Sequence, residues 1–356
     1  SNIKAIYGTN GAGKSAFINS VFLYKKLLSN SLYLKQNSEI KTLNKLINQN
    51  SNEFYFSIIY GTKSSKKEIY KHEIKINFEK EYPYISLERI SKLNSQTING
   101  EFETLIESLK GNLEIHSNKA NELNDLFIDK SKNILKYTTL SSILTDTDLL
   151  NRIKNIITSN DDTTYASNLG AIHYVLINRM LAKSLVVYLD NEDIHQEYDE
   201  SELEVFLNKY LDNKDVYNKK MLGSRKDFVP KKDIAAYEKK VNKLFKFLRI
   251  FKNDLLEINI EKQEDKNGFY CTKKLIYSNY KVDCAYESSG IKKLMNIFDS
   301  IASCTDGKIV FIDELDANIN GVYLKVLLEY LNILMKGQLC FTTHNLYPMH
   351  YLYNFS

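Results

Sequence analysis

Five side chains close to the two ends of the chain have types and neighbours suited to chemistry on a phosphate: Lys14, Ser15, Asp313, Glu314 and His344. The first two close the stretch Gly8-Thr9-Asn10-Gly11-Ala12-Gly13-Lys14-Ser15, which reads G-x-x-x-x-G-K-S. Glycines in such a loop allow backbone torsions that turn successive N–H groups toward one anion. The run Ile3 to Tyr7 predicts a buried strand before the loop, and Ala16 to Leu23 predicts a helix after it. The partial positive charge of that helix start favours a phosphate. Residues Asn10, Gly11, Ala12, Gly13, Lys14, Ser15 and Ala16 are therefore expected around a phosphate chain. Lys14 is expected to reach its outer phosphates and the Ser15 hydroxyl to bind Mg²⁺.

Four further signals follow in order. Glu287-Ser288-Ser289-Gly290 opens a predicted helix running to about Ala302, and its serines are good N-caps in any case. Lys308-Ile309-Val310-Phe311-Ile312 reads as an apolar strand ending in Asp313 and Glu314. A carboxylate at the carboxyl edge of a parallel strand beside a phosphate loop is placed to hold Mg²⁺. The adjacent acid can orient and deprotonate a water. Leu315 to Asn320 forms the loop after that strand. Gln338 to Asn345 is a second strand ending at His344, whose imidazole is placed to touch a terminal phosphate.

Positioning these residues requires a parallel core sheet with other elements inserted between the two ends. At 356 residues the chain is long for one domain and comfortable for two. Phe54 to Tyr60, Ile69 to Phe78 and Tyr84 to Leu87 predict an antiparallel meander, with Leu43 to Asn52 a polar turn before it. From about Gly100 to Leu255 the apolar spacing predicts helices over 102–109, 120–135, 148–157, 171–188, 201–211 and 233–256. Leu256 to Ile260 and Phe269 to Tyr277 predict a closing hairpin. The expected division is 1–98, the first part of a phosphate-binding core; 99–255, a helical insertion or lid; and 256–356, the second part of the core.

Composition is that of an ordinary globular protein, 43% hydrophobic and 26% charged. No apolar run approaches the ~20 residues that cross a membrane, and no signal peptide is expected from these residues. The nearest run, 171–188, is interrupted by His173, Asn178, Arg179 and Lys183. Cys271, Cys284, Cys304 and Cys340 are scattered with no C-x-x-C pair, which excludes a disulfide framework and a zinc site and implies a cytoplasmic setting. Net charge is +4. Residues 214–249 hold 12 Lys/Arg against 4 Asp/Glu, after an acidic run at 190–204. Such a segment is either a nucleic-acid contact or the solvated face of a helix.

The ordered motifs closely resemble the ATP-binding-cassette (ABC) class of P-loop ATPases: Walker A, signature, Walker B, D-loop and switch histidine. The resemblance implies an α/β fold, an ABC-type head with a mixed β-sheet core, an antiparallel β meander and a large helical insertion. It also implies two such heads sandwiching two ATPs with Mg²⁺. Ser288, Ser289 and Gly290 would then act in trans on the partner's phosphate, with Asp313 and Ser15 at Mg²⁺. Glu314 would be the base, His344 the switch and Lys14 the phosphate-binding lysine. The stretch between Ser15 and Ser288 is much longer than in transporter domains and lacks the coiled coils of structural-maintenance ATPases. Ser57-Ile58-Ile59, Ile85-Ser86-Leu87-Glu88-Arg89, Glu287 to Gly290, Ile312 to Asp316 and Thr342 to Asn345 look most like the overcoming-lysogenization-defect (OLD) group. Three positions depart from the class: Glu287 for the signature leucine, Ile291 for a polar residue, and Asn320 for the D-loop acid or histidine. No glutamine lies between Ser51 and Ser95 to serve as a Q-loop.

OLD-like ATPases are bacterial, and many belong to anti-phage defence systems in which the ATPase controls a nuclease or toxin. No acidic D-x-D cluster of a Toprim nuclease follows His344. The expectation is thus a sensor or scaffold ATPase, self-associating, with the effector on a separate protein or on a C-terminal part beyond residue 356. Two alternatives stand beside it. One is a RecF-like repair ATPase binding DNA through 214–249, with strong salt dependence; the other is an ATP-gated scaffold of negligible turnover.

Overall fold

A computed structural model describes residues 2–47, 51–62, 67–80, 82–94, 100–116, 121–159, 165–189 and 226–346. They form two compact units, one of residues 2–19, 185–189 and 226–346, the other of residues 20–184.

In the first unit, β1 (Ile3–Tyr7), β7 (Leu185–Tyr188), β12 (Ile309–Ile312) and β13 (Gln338–Thr343) make an all-parallel sheet in the order β1-β13-β12-β7. Their apolar runs, such as Leu-Val-Val-Tyr and Ile-Val-Phe-Ile, suit strands covered on both faces. The register aligns Tyr7 with Thr343, and Ile312 with both Phe341 and Tyr188. All four strands therefore end at one edge. A second, antiparallel sheet centres on β10 (Gly268–Tyr277). It pairs along its length with β9 (Leu255–Asp265), and on its other side with β8 (Asp227–Pro230) and β11 (Lys281–Asp283). Helices α8 (Ile234–Leu248), α9 (Ser289–Thr305) and α10 (Gly321–Leu334) supply Leu244, Phe247, Ile297, Phe298, Leu324 and Leu328 to one core with Val310, Leu339 and Phe341.

The second unit is built on a five-stranded antiparallel meander in chain order: β2 (Glu53–Gly61), β3 (Ile69–Glu79), β4 (Tyr82–Leu93), β5 (Phe102–Leu109) and β6 (Asn112–Ile115). With it belong α2 (Asn37–Leu46), α3 (Glu122–Ser131), α4 (Leu140–Ile143), α5 (Thr147–Ser159), α6 (Tyr165–Leu169) and α7 (Ile172–Ser184). Leu123, Phe127, Leu149, Ile153 and Val175 form its apolar centre with Ile90 and Ile106. The helix α1 (Lys14–Ser29) spans the division, which falls after Asn19. Its Tyr24 enters a fully buried polar network. The Tyr24 hydroxyl lies 2.8 Å from His72 Nδ1 and donates to Asn178 Oδ1 at 3.2 Å. His72 Nε2 lies 3.2 Å from Glu88, whose other oxygen accepts the Leu140 N–H at the start of α4. The buried polar groups of this network thus meet one another rather than apolar walls.

The first three strands of the meander, the closing hairpin and the helix after Ser288 lie where the sequence places them. Several helices do not. Residues 102–109 form β5, not a helix: Phe102, Leu105, Ile106 and Leu109 satisfy helical spacing, but pairing Ile106 with Ile90 and Arg89 with Glu107 decides for a strand. The helix expected over 171–188 stops at Ser184, and its β-branched tail becomes β7. The expected helices over 120–135, 148–157 and 233–256 are Glu122–Ser131, Thr147–Ser159 and Ile234–Leu248. Leu43 to Asn52 is not simply a turn, since α2 runs to Leu46. The boundary expected at 98/99 falls between two strands of one sheet, and β7 and α8, inside the supposed insertion, belong with the parallel sheet. Residues 190–225, with the acidic run, the 201–211 helix and the first third of the basic segment, lie outside the described residues. Among the described residues, no helix is long and apolar enough to cross a membrane.

Candidate active site

The ends of β1, β12 and β13 bring Lys14, Asp313, Glu314 and His344 together. Gly8 to Gly13 is an exposed loop between β1 and α1, turned by an Ala12 N–H to Thr9 O bond of 3.2 Å. Gly11 and Gly13 have φ of 80° and 86°, a left-handed backbone that side chains resist. A Cβ built on either would meet nothing within 4 Å, so the space they face is open. Neither α1 nor α9 carries an acidic residue in its first turn, which leaves each helix start free for an anion. Ser15 and Ala16 are exposed on the first turn of α1, beside this space. Gly8, Gly11 and Gly13 with Ser15 fit a bound phosphate chain.

Lys14 is buried, 7% exposed, and its Nζ donates to Gly8 O at 2.7 Å and Thr9 O at 3.0 Å. The same nitrogen lies 3.4 Å from His344 Nδ1. An ammonium only donates, so this contact assigns the Nδ1 lone pair to Lys14 and the ring proton to Nε2. That Nε2 faces Glu314 Oε1 at 3.6 Å. Lysine, imidazole and carboxylate thus stand in line across the carboxyl edge of the sheet, with the Glu314 and His344 side chains 39% and 43% exposed.

Asp313 and Glu314 are held differently. Asp313 is nearly buried; its N–H donates to Tyr188 O at 2.9 Å, and its Oδ1 accepts the Thr342 hydroxyl at 2.5 Å. Its Oδ2 makes no hydrogen bond among the described residues. Glu314 has φ of 48°, uncommon for a residue with a side chain, and its N–H donates to Thr342 Oγ1 at 2.8 Å. Among the described residues no cluster of three or more His, Cys, Asp or Glu could bind a metal. One free carboxylate oxygen and an exposed serine hydroxyl suit Mg²⁺, which takes few protein ligands beside phosphates and water.

Ser288, Ser289 and Gly290 stand apart from this group: none hydrogen-bonds to residues 8–16 among the described residues. Ser288 is the N-cap of α9, its Oγ accepting the Ile291 N–H at 3.4 Å. Both serines are exposed. A Cβ on Gly290 would come within 3.1 Å of Asn318 O, so this residue packs tightly on the loop after Glu314. The three departures from the class have local causes. Glu287 is buried, with one oxygen accepting the Tyr277 hydroxyl at 2.7 Å and the other the Ser288 N–H at 2.6 Å, so it braces the turn before α9. Ile291 is a fully buried core residue. Asn320 caps α10, its Oδ1 accepting the Tyr323 N–H at 2.8 Å.

The sequence reading passed over two residues near the site. One is Thr342, whose only signal is a hydroxyl two positions before His344 on the strand neighbouring the acids. The other is Tyr7, at the end of β1. Burial, with the Asp316 carboxylate nearby, pushes its phenol up to about 12. The described part of the basic segment spends charge locally: Lys231 pairs with Glu264 and Lys240 with Asp299, each at 2.7 Å.

Residues 3–349 match the family model described as AAA domain, putative AbiEii toxin, Type IV TA system. No curated protein matches the chain. Among solved structures, the Smc head bound to the C-winged helix domain of ScpA is 12% identical, over 98% of this chain and 84% of that one, with a TM-score of 0.41. The Smc head with an extended coiled coil bound to the C-terminal domain of ScpA, from Pyrococcus furiosus, is also 12% identical, over 98% and 85%, with a TM-score of 0.38.

Proposed function

The chain belongs to the AAA-domain family described as putative AbiEii toxin of a type IV toxin–antitoxin system, and from that premise we propose that it hydrolyses ATP with Mg²⁺ at a composite interface between two copies. The observation that carries this reading is the line Lys14–His344–Glu314 beside Asp313 at the mouth of the Gly8–Gly13 loop. Asn10 to Ala16 hold the phosphates, and Lys14 leaves its carbonyl partners to meet them. Ser15 and the free oxygen of Asp313 hold Mg²⁺, whose charge offsets that of the phosphates. Glu314 accepts the proton of the attacking water, and His344, whose Nε2 lies 3.6 Å from Glu314, gives that one N–H to the terminal phosphate. Ser288 and Ser289, exposed at the start of α9, with the half-buried Gly290 beside them, cap the phosphate bound by the second copy.

In the cell we assign the chain to the OLD-like ATPases of bacterial defence or toxin–antitoxin systems, acting in the cytoplasm with a separate nuclease or toxin. The type IV description supports that setting. Against the RecF-like reading, two of the described basic residues, Lys231 and Lys240, already pair with acids of the same unit. A scaffold without turnover has no use for the general base at Glu314.

The test is Glu314→Gln. Turnover should fall by about 10²–10⁴, and light scattering with ATP and Mg²⁺ should then show a stable dimer. Wild-type turnover in this variant would overturn the assignment of the base, and a monomer under all nucleotide conditions would overturn the composite site.

A further inference from the structure

We propose that Thr342 is a positioning residue that sets both acids of the site through one hydroxyl. The inference rests on the reading above, in which Asp313 serves the metal and Glu314 the water. Thr342 is fully buried, and the parallel register places it beside the residue that follows Ile312. Its Oγ1 donates its single proton to Asp313 Oδ1 at 2.5 Å and accepts the Glu314 N–H at 2.8 Å. Its carbonyl accepts the Leu315 N–H at 3.1 Å, so three consecutive residues after β12 are tied to this one threonine.

The two contacts do different things. Donation to Oδ1 fixes the Asp313 carboxylate in one rotamer and leaves Oδ2 as its free oxygen. Acceptance from the Glu314 N–H holds a left-handed backbone that a glutamate would otherwise leave, and that backbone aims the Glu314 carboxylate at His344 Nε2. The neighbouring Thr343 completes the arrangement: its Oγ1 accepts the Asn345 N–H at 2.9 Å and so shapes the turn that presents His344. Serine can make both Thr342 contacts. Valine, of the same shape, can make neither, and leaves a buried carboxylate oxygen and an N–H without partners.

The experiment compares wild type, Thr342→Val, Thr342→Ser and Glu314→Gln by two readouts. The first is kcat with saturating ATP. The second is calorimetric affinity for a non-hydrolysable ATP analogue with and without Mg²⁺, which needs no turnover. Thr342→Val should lose about 10–100-fold in kcat and most of the Mg²⁺-dependent gain in affinity, while its Mg²⁺-free affinity stays at the wild-type value. Thr342→Ser should retain both within about threefold. Should the valine variant not fold, Thr342→Cys, with a weak S–H donor, takes its place under the same expectations. Wild-type kcat and Mg²⁺ response in the valine or cysteine variant, with Glu314→Gln inactive, would overturn the role of Thr342 alone. Wild-type kcat in Glu314→Gln would instead overturn the reading beneath it. A folded serine variant as impaired as valine would show that the hydroxyl is not the operative group and would also overturn the proposal.

Discussion

Replacing Gly13 by alanine separates the geometry of the phosphate loop from the stability of the fold. Gly13 holds φ of 86°, and a Cβ there would meet nothing within 4 Å. The substitution therefore brings no clash, and its whole cost is torsional, about 1–2 kcal/mol for an L-residue in the left-handed region. An exposed loop relaxes rather than carry that cost, so the ligand-free protein should melt close to wild type. Binding has no such escape if the phosphate requires the left-handed backbone, because only the strained fraction of the population is competent. The apparent affinity falls with that fraction, and 1–2 kcal/mol corresponds to roughly a 5–30-fold weaker Kd. Calorimetry with a non-hydrolysable ATP analogue and Mg²⁺, alongside thermal unfolding of the ligand-free protein, measures both quantities. Equal affinity in the variant would refute the cradle. Loss of affinity with an equal loss of stability would show that Gly13 matters to folding rather than to the anion.

Two further outcomes follow from the second unit. Tyr24→Phe removes the hydroxyl that bridges His72 and Asn178 in a fully buried setting and should cost about 1–3 kcal/mol in urea unfolding; a change below about 0.5 kcal/mol would mean the network is satisfied without it. Acid should weaken the same unit in two stages. Burial holds His173 below its ordinary 6.5, so the unfolded chain takes up that proton first, and the stability present above about 6.5 is lost as pH falls below it. Burial pushes Glu68 up, but hydrogen bonds from Lys92 and Tyr70 outweigh it and hold the carboxyl below 4.5. Burial of Glu73 is likewise outweighed by Lys71 and Tyr55. Their contribution is present above 4.5 and lost as pH falls through the lowered values. Urea midpoints should therefore drop as pH falls below about 6.5 and again in the carboxylate range below 4.5; a midpoint that rises on acidification would contradict both assignments.

What the sequence determined by itself was the chemistry carried by local pattern. The Gly8–Ser15 loop needs only a strand, two left-handed glycines and a helix start, all encoded within about twenty residues. The acids after Ile312, the histidine after Thr343 and the serine cap of α9 are legible for the same reason: each sits at the end of an element whose own residues announce it. The first three strands of the meander are legible because they are rich in β-branched and aromatic residues and pair with their neighbours in chain order. Tertiary structure decided the rest. Residues 102–109 have a pattern that both helix and strand accept, and pairing with β4 and β6 makes them a strand. Leu185–Tyr188 joins a sheet whose other members lie more than a hundred residues away, so nothing local separates it from the preceding helix. The functions of Glu287 and Asn320 as brace and cap depend on Tyr277 and on the Tyr323 N–H, and Thr342 meets Asp313 only through the β12–β13 register. A hydroxyl acquires its task from the atoms it faces, and in a parallel sheet those atoms are brought by chain that the sequence holds far apart.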